Sequence, residues 1–187
     1  MVRLVRWNDL RGELNLAADG LKTRIAVVGL GGAGTSIVMV LNRYLEDKNL
    51  ADVFVINSEK YTEFKRFYFY HQLEDVIESL KPYRYVLLTA GLGSTGGDLL
   101  VGLTKRLSNI KSIFVSFPFS VEDSRVKRAV EQLNSMDVSE IHVVNLNFLL
   151  QRMPNMPIIA ALEIVNEEIV AKILDEIFEY SNIKNPI

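Results

Sequence analysis

The chain has 187 residues, a formal net charge of −2 and no cysteine. That length suits one domain with a substantial core. The balanced charge offers no field for nucleic acid or anionic lipid, and the missing thiols exclude disulfides and thiolate metal sites. Residues 1–23 read as a lead-in with one helix from Asn8 to Ala18, and 24–187 as a single nucleotide-binding domain. Ile25–Val28 is a short apolar strand stopped by glycine. A helix over Gly32–Leu45 follows, with Ile37, Val38, Val40, Leu41 and Leu45 on its inner side, and then a strand over Val53–Ile56. Glu59–Leu80 reads as two helices carrying an aromatic cluster of Phe64, Phe67, Tyr68, Phe69 and Tyr70.

A third strand, Tyr85–Thr89, feeds a second glycine-rich turn and a helix over Gly96–Leu107. Ser112–Phe117 is a strand ended by Pro118. The helix over Val121–Met136 opens on Glu122 and Asp123, which suit its positive N-terminal end. A fifth strand, Ile141–Val144, leads into a turn of helix over Leu146–Gln151. The last helix starts at Pro157, a good first-turn residue, and would run about 36 Å. Ile158, Leu162, Val165, Ile169, Ile173 and Ile177 make its apolar row, broadened by Ile159, Val170, Leu174 and Phe178. Strands alternating with helices predict an α/β fold: a doubly wound, mainly parallel sheet with right-handed crossovers, Rossmann-like, closed by a long final helix.

Two glycine loops carry the chemistry. Gly29-Leu30-Gly31-Gly32-Ala33-Gly34-Thr35-Ser36 and Gly91-Leu92-Gly93-Ser94-Thr95-Gly96-Gly97 each follow a strand and open a helix. A helix N-terminus presents unpaired N–H groups and partial positive charge to an anion, and glycine lets the backbone approach it. The first loop matches the dinucleotide fingerprint at Gly29, Gly31 and Gly34, but that reading wants an acid at the end of the second strand, where Asn57 stands two residues before Glu59. Neither loop has the lysine of a P-loop. Two histidines, His71 and His142, are too few for a histidine-rich metal cluster, and His142, inside an apolar strand, reads as structural.

From Arg24 to Ile177 the chain resembles the GTP-binding half of the tubulin/FtsZ superfamily. The resemblance rests on five segments in order: Ile25–Gly34, Val55–Glu59, Leu87–Gly97, Phe117–Glu122 and the final helix with Asn166. It implies that the backbone of Gly31, Gly32 and Gly34 approaches the nucleotide phosphates, with Thr35 and Ser36 near base and phosphates. Gly93, Ser94, Thr95, Gly96 and Gly97 would cradle the distal phosphates. Glu122 would contact the ribose, and Asn166 would read guanine, donating to O6 and accepting from a ring N–H. The implied ligand is GTP or GDP, with Mg2+ a candidate companion.

The departures shape the expectation. The second loop is one residue short of the family pattern and is followed by Asp98, a carboxylate unfavourable beside phosphate. No γ-phosphate loop is recognisable between the second and third strands, and Asn145-Leu146-Asn147 is a loose match to the family's segment before the central helix. The sequence stops at Ile187, so neither the family's acidic catalytic loop nor its second domain is expected. The reading is a truncated FtsZ-like guanine-nucleotide-binding protein, cytoskeletal or regulatory, in the setting of cell division. Its GTP hydrolysis would be weak or absent as a homopolymer, and its partner a second copy or a full-length relative. A Rossmann-type dinucleotide protein and an interaction module with vestigial loops are the alternatives. No apolar run reaches the roughly 18 residues of a membrane span, and Met1–Trp7 lacks the features of a signal peptide, so a cytoplasmic location is expected.

Overall fold

A computed structural model describes residues 25–45, 50–152 and 155–182. The lead-in 1–23, with its expected helix Asn8–Ala18, lies outside them. Six strands, β1 (Ile25–Leu30), β2 (Asp52–Asn57), β3 (Arg66–Phe69), β4 (Tyr85–Gly91), β5 (Ile110–Phe117) and β6 (Ile141–Asn145), form one sheet. Every pairing is parallel, in the order β3-β2-β1-β4-β5-β6. The helices are α1 (Gly31–Leu45), α2 (Leu73–Leu80), α3 (Thr95–Thr104), α4 (Asp123–Asn134), α5 (Leu146–Arg152) and α6 (Ile158–Asn182). The doubly wound α/β sheet expected from the sequence is the fold found.

Strand periodicity divides the core in two. Ile25, Val27, Val55, Leu87 and Phe114 point to one face, under Ile37, Val38 and Leu41 of α1 and Val165, Ile169, Ile173 and Ile177 of α6. Ala26, Val28, Phe54, Ile56, Leu88 and Val115 point to the other, under α2, α3 and α4. Because both faces are covered, the strands read as continuous apolar runs. Among the described residues no helix is long and apolar enough to cross a membrane.

One expectation needs correction. Within 59–80, Arg66–Phe69 is an edge strand, not helix, and it pairs with β2 from Phe54↔Arg66 to Asn57↔Phe69. Its aromatic residues alternate as a strand requires. Phe67 and Phe69 meet edge to face at 5.0 Å, while Tyr68 packs against the opposite core and stacks on Phe54. The apolar row of α6 is buried only in part: Ile158, Ile159 and Leu162 are 57%, 73% and 38% exposed. The helix closes over the sheet from Ala161 and Val165 onward, whereas Leu162, Val165 and Asn166 face a cavity beyond the strand ends.

Candidate functional site

The chain leaves β1 toward β2 and β3 on one side and β4 toward β5 and β6 on the other, so β1 and β4 flank the topological switch point. Open α/β sheets hold ligands in the crevice outside the strand C-termini at such a point. Both glycine loops are there, since β1 and β4 pair directly from Ile25↔Tyr85 to Leu30↔Ala90.

Glycine is what lets the loops touch. A Cβ on Gly96 would stand 2.5 Å from the Leu30 carbonyl oxygen, and one on Gly31 would stand 3.1 Å from the Gly96 Cα. Gly31 and Gly93 also hold φ of +66° and +73°, which a side chain rarely tolerates. The N-termini of α1 and α3 therefore lie side by side.

Above them is a cavity of about 500 Å3. Of the twelve residues expected to bind nucleotide, Gly32, Ser36, Ser94, Glu122 and Asn166 line it. These come from α1, the loop after β4, the head of α4 and the middle of α6. Six of the other seven stand behind the wall. Gly31, Gly34, Gly93, Gly96 and Gly97 are buried where backbone or side chains pack against them. Thr35 is buried, its hydroxyl donating to the Gly31 carbonyl at 2.7 Å and accepting from the Asn57 amide at 2.9 Å. Thr95 is exposed at the first position of α3.

Asn57, at the strand end where a dinucleotide fold would want a ribose-binding acid, is buried and committed to Thr35 and to the backbone N–H of Ser58 at 2.7 Å. Asp98 turns from the cavity toward α4, where it pairs with Arg128 and accepts from the Gln132 amide at 2.7 Å. The charge that sequence alone sets beside the phosphates is thus neutralised behind the loop. Asn166 is half-buried in the wall, and its side-chain amide has no hydrogen-bond partner among the described residues.

Several supporting residues are not evident from the sequence. Gln132, only 4% exposed, accepts from the Gly93 N–H at 2.7 Å and donates to the Ser94 carbonyl at 3.1 Å, so α4 holds the second glycine loop in shape. Asn147 accepts from the Ser120 N–H at 2.7 Å and donates to the Pro118 carbonyl at 3.2 Å, bracing the loop between β5 and Glu122. Arg125 lines the cavity and pairs with Glu122 at 2.6 Å. Gln132 lies 39 residues beyond Gly93, a separation with no sequence signature.

No family model matches the chain. It is 35% identical over 133 residues to an uncharacterized protein of Archaeoglobus fulgidus, covering 70% of this chain and 76% of that protein. It is 27% identical over 191 residues to the cell division protein FtsZ 2 of Methanocaldococcus jannaschii, covering 84% of this chain and 49% of that protein, so it spans about half that relative's length. The structure of an empty M. jannaschii FtsZ dimer superposes with a TM-score of 0.73 at 21% identity, over 98% of this chain and 62% of that one. The fold is that of the tubulin/FtsZ proteins.

Proposed function

We propose that this chain, which belongs to one family with the Archaeoglobus fulgidus protein and has the FtsZ-like fold, binds a guanine nucleotide in the switch-point cavity. One observation carries the reading: a single cavity collects Gly32, Ser36, Ser94, Glu122 and Asn166 from segments far apart in sequence. The chemistry of these residues suits a nucleotide. Two helix N-termini and a serine from each glycine loop would take the phosphates, with Mg2+ a candidate companion. Glu122 would accept from a ribose hydroxyl, and the free amide of Asn166 would pair with the guanine edge.

Among the described residues Glu122 is the one carboxylate lining the cavity, and Arg125 pairs with it. Neither is a poised base for water attack, which supports binding with weak or absent hydrolysis by this chain alone. A second copy or a full-length relative would cover the exposed apolar end of α6 and make the protein a cytoskeletal or regulatory element of the cytoplasm.

Thermal-shift measurements with GTP, GDP, ATP, NAD and NADP test the reading. A guanine-specific rise in Tm is expected, with Asn166→Ala weakening GTP binding about tenfold or more. A shift with NAD or NADP instead would replace this function by dinucleotide binding. No shift with any nucleotide would leave an interaction module.

A further inference from the structure

Near the start of edge strand β6, Glu140, His142 and Glu176 bring one ligand atom each within 4.8 Å of the others. They come from two rigid elements. His142 lies on β6, opposite Phe114 of β5, and its ring stacks on that phenyl at 4.7 Å and 8°. Glu140 immediately precedes β6, its carbonyl accepting from the Ile113 N–H at 3.0 Å. Glu176 is on the buried face of α6 and only 9% exposed.

Hydrogen bonding alone leaves this group poorly satisfied. The His142 Nε2 is 3.1 Å from one Glu176 oxygen and 3.2 Å from one Glu140 oxygen. That nitrogen carries at most one hydrogen, so it cannot donate fully to both. The second Glu176 oxygen is buried with no hydrogen-bond partner among the described residues. Tyr180 hydrogen-bonds Glu176 through its phenol and brings no positive charge. Two carboxylates converging on one imidazole nitrogen, with a buried oxygen left over, make an arrangement that a cation completes.

The spacing also suits one. Around a tetrahedral ion with bonds near 2.0–2.1 Å, adjacent ligand atoms are about 3.3 Å apart, close to the two separations from the His142 Nε2, while the two carboxylate oxygens stand within 4.8 Å of each other. An imidazole with two carboxylates is a borderline donor set, suited to Zn2+. Three protein ligands leave a fourth position, which Glu140, with its side chain 49% exposed, opens to water. We infer that Glu140, His142 and Glu176 form a divalent-metal site of the zinc class that clips edge strand β6 to α6. It is independent of the nucleotide cavity.

The test uses untagged full-length protein, stripped with EDTA and equilibrated with Zn2+, metal content being read by mass spectrometry after dialysis. About one zinc per chain and a zinc-dependent rise in Tm are expected. Co2+ in its place should give the visible absorption of a four-coordinate site. Glu140→Gln changes a half-exposed side chain and should leave the fold intact while weakening zinc at least about tenfold. His142→Gln should abolish the Co2+ spectrum. Failure of the wild-type protein to retain zinc, or unchanged affinity in either variant, would overturn the site.

Discussion

Gly32 and Gly34 stand two residues apart at the start of α1 under opposite constraints. A Cβ on Gly34 would run into the Thr89 carbonyl and stand 2.9 Å from the Gly29 carbonyl carbon, so this glycine is required for packing. Beyond its own turn of helix, a Cβ on Gly32 would meet no atom of the described residues within 4 Å, yet Gly32 lines the cavity. Within a helix, Gly costs about 0.5–1 kcal/mol relative to Ala, and the fold gives no reason to retain it there. A phosphate against the backbone would. Gly34→Ala should therefore destabilise by about 1–3 kcal/mol through overpacking, read by urea unfolding. Gly32→Ala should leave stability unchanged or raised by up to about 1 kcal/mol while weakening GTP binding about tenfold. If Gly32→Ala bound GTP as well as the parent chain, the phosphate would have to lie elsewhere.

Among elements, the coupling that matters most for the site runs between α4 and the loop that opens α3. Gln132 supplies it, and Gly97 is glycine because the Gln132 amide occupies the place of its Cβ. Gln132→Ala would leave the Gly93 N–H without its partner, while the Ser94 carbonyl keeps the Asp98 N–H at 3.2 Å. A loss of about 1–3 kcal/mol is expected for a stranded buried polar group, measured as a lower urea midpoint, together with a smaller nucleotide-induced rise in Tm. This link also marks where sequence reading stops. The core strands were legible because burial on both faces makes Ile25–Val28, Tyr85–Thr89 and Ser112–Phe117 largely apolar runs with glycine or proline soon after them. β3 was not, because four aromatic and basic residues at a sheet edge lack the apolar bounds of a central strand. The glycine loops were visible as local motifs. Which glycines face the cavity and which face the protein depends on Leu30, Thr89 and Gln132, distant contacts that leave no local pattern.

At the scale of the whole molecule, the unusual surface is the start of α6 with its neighbour α5. Phe148, Ile158, Ile159 and Leu162 are 51%, 57%, 73% and 38% exposed. Scattered apolar residues are ordinary on a surface, but Ile158, Ile159 and Leu162 lie within five residues of one helix, and such clusters mark interaction sites. Leu162 also lines the cavity, four residues before Asn166, so the surface and the proposed base site share one stretch of helix. A partner covering α6 would then be sensitive to nucleotide, because ordering the cavity wall orders part of the interface. Sedimentation should show association that rises with protein concentration and increases with GTP. Ile159→Glu places a charge where the free chain is already wet, so its folding stability should change by no more than about 0.5 kcal/mol. Its self-association should weaken about thirtyfold or more, the equivalent of ~2 kcal/mol at a central interface residue. The variant should still show the guanine-specific thermal shift, since Ile159 does not line the cavity. Association unchanged in Ile159→Glu would move the interface off α6, whereas loss of the thermal shift would mean that nucleotide binding itself requires the assembled state.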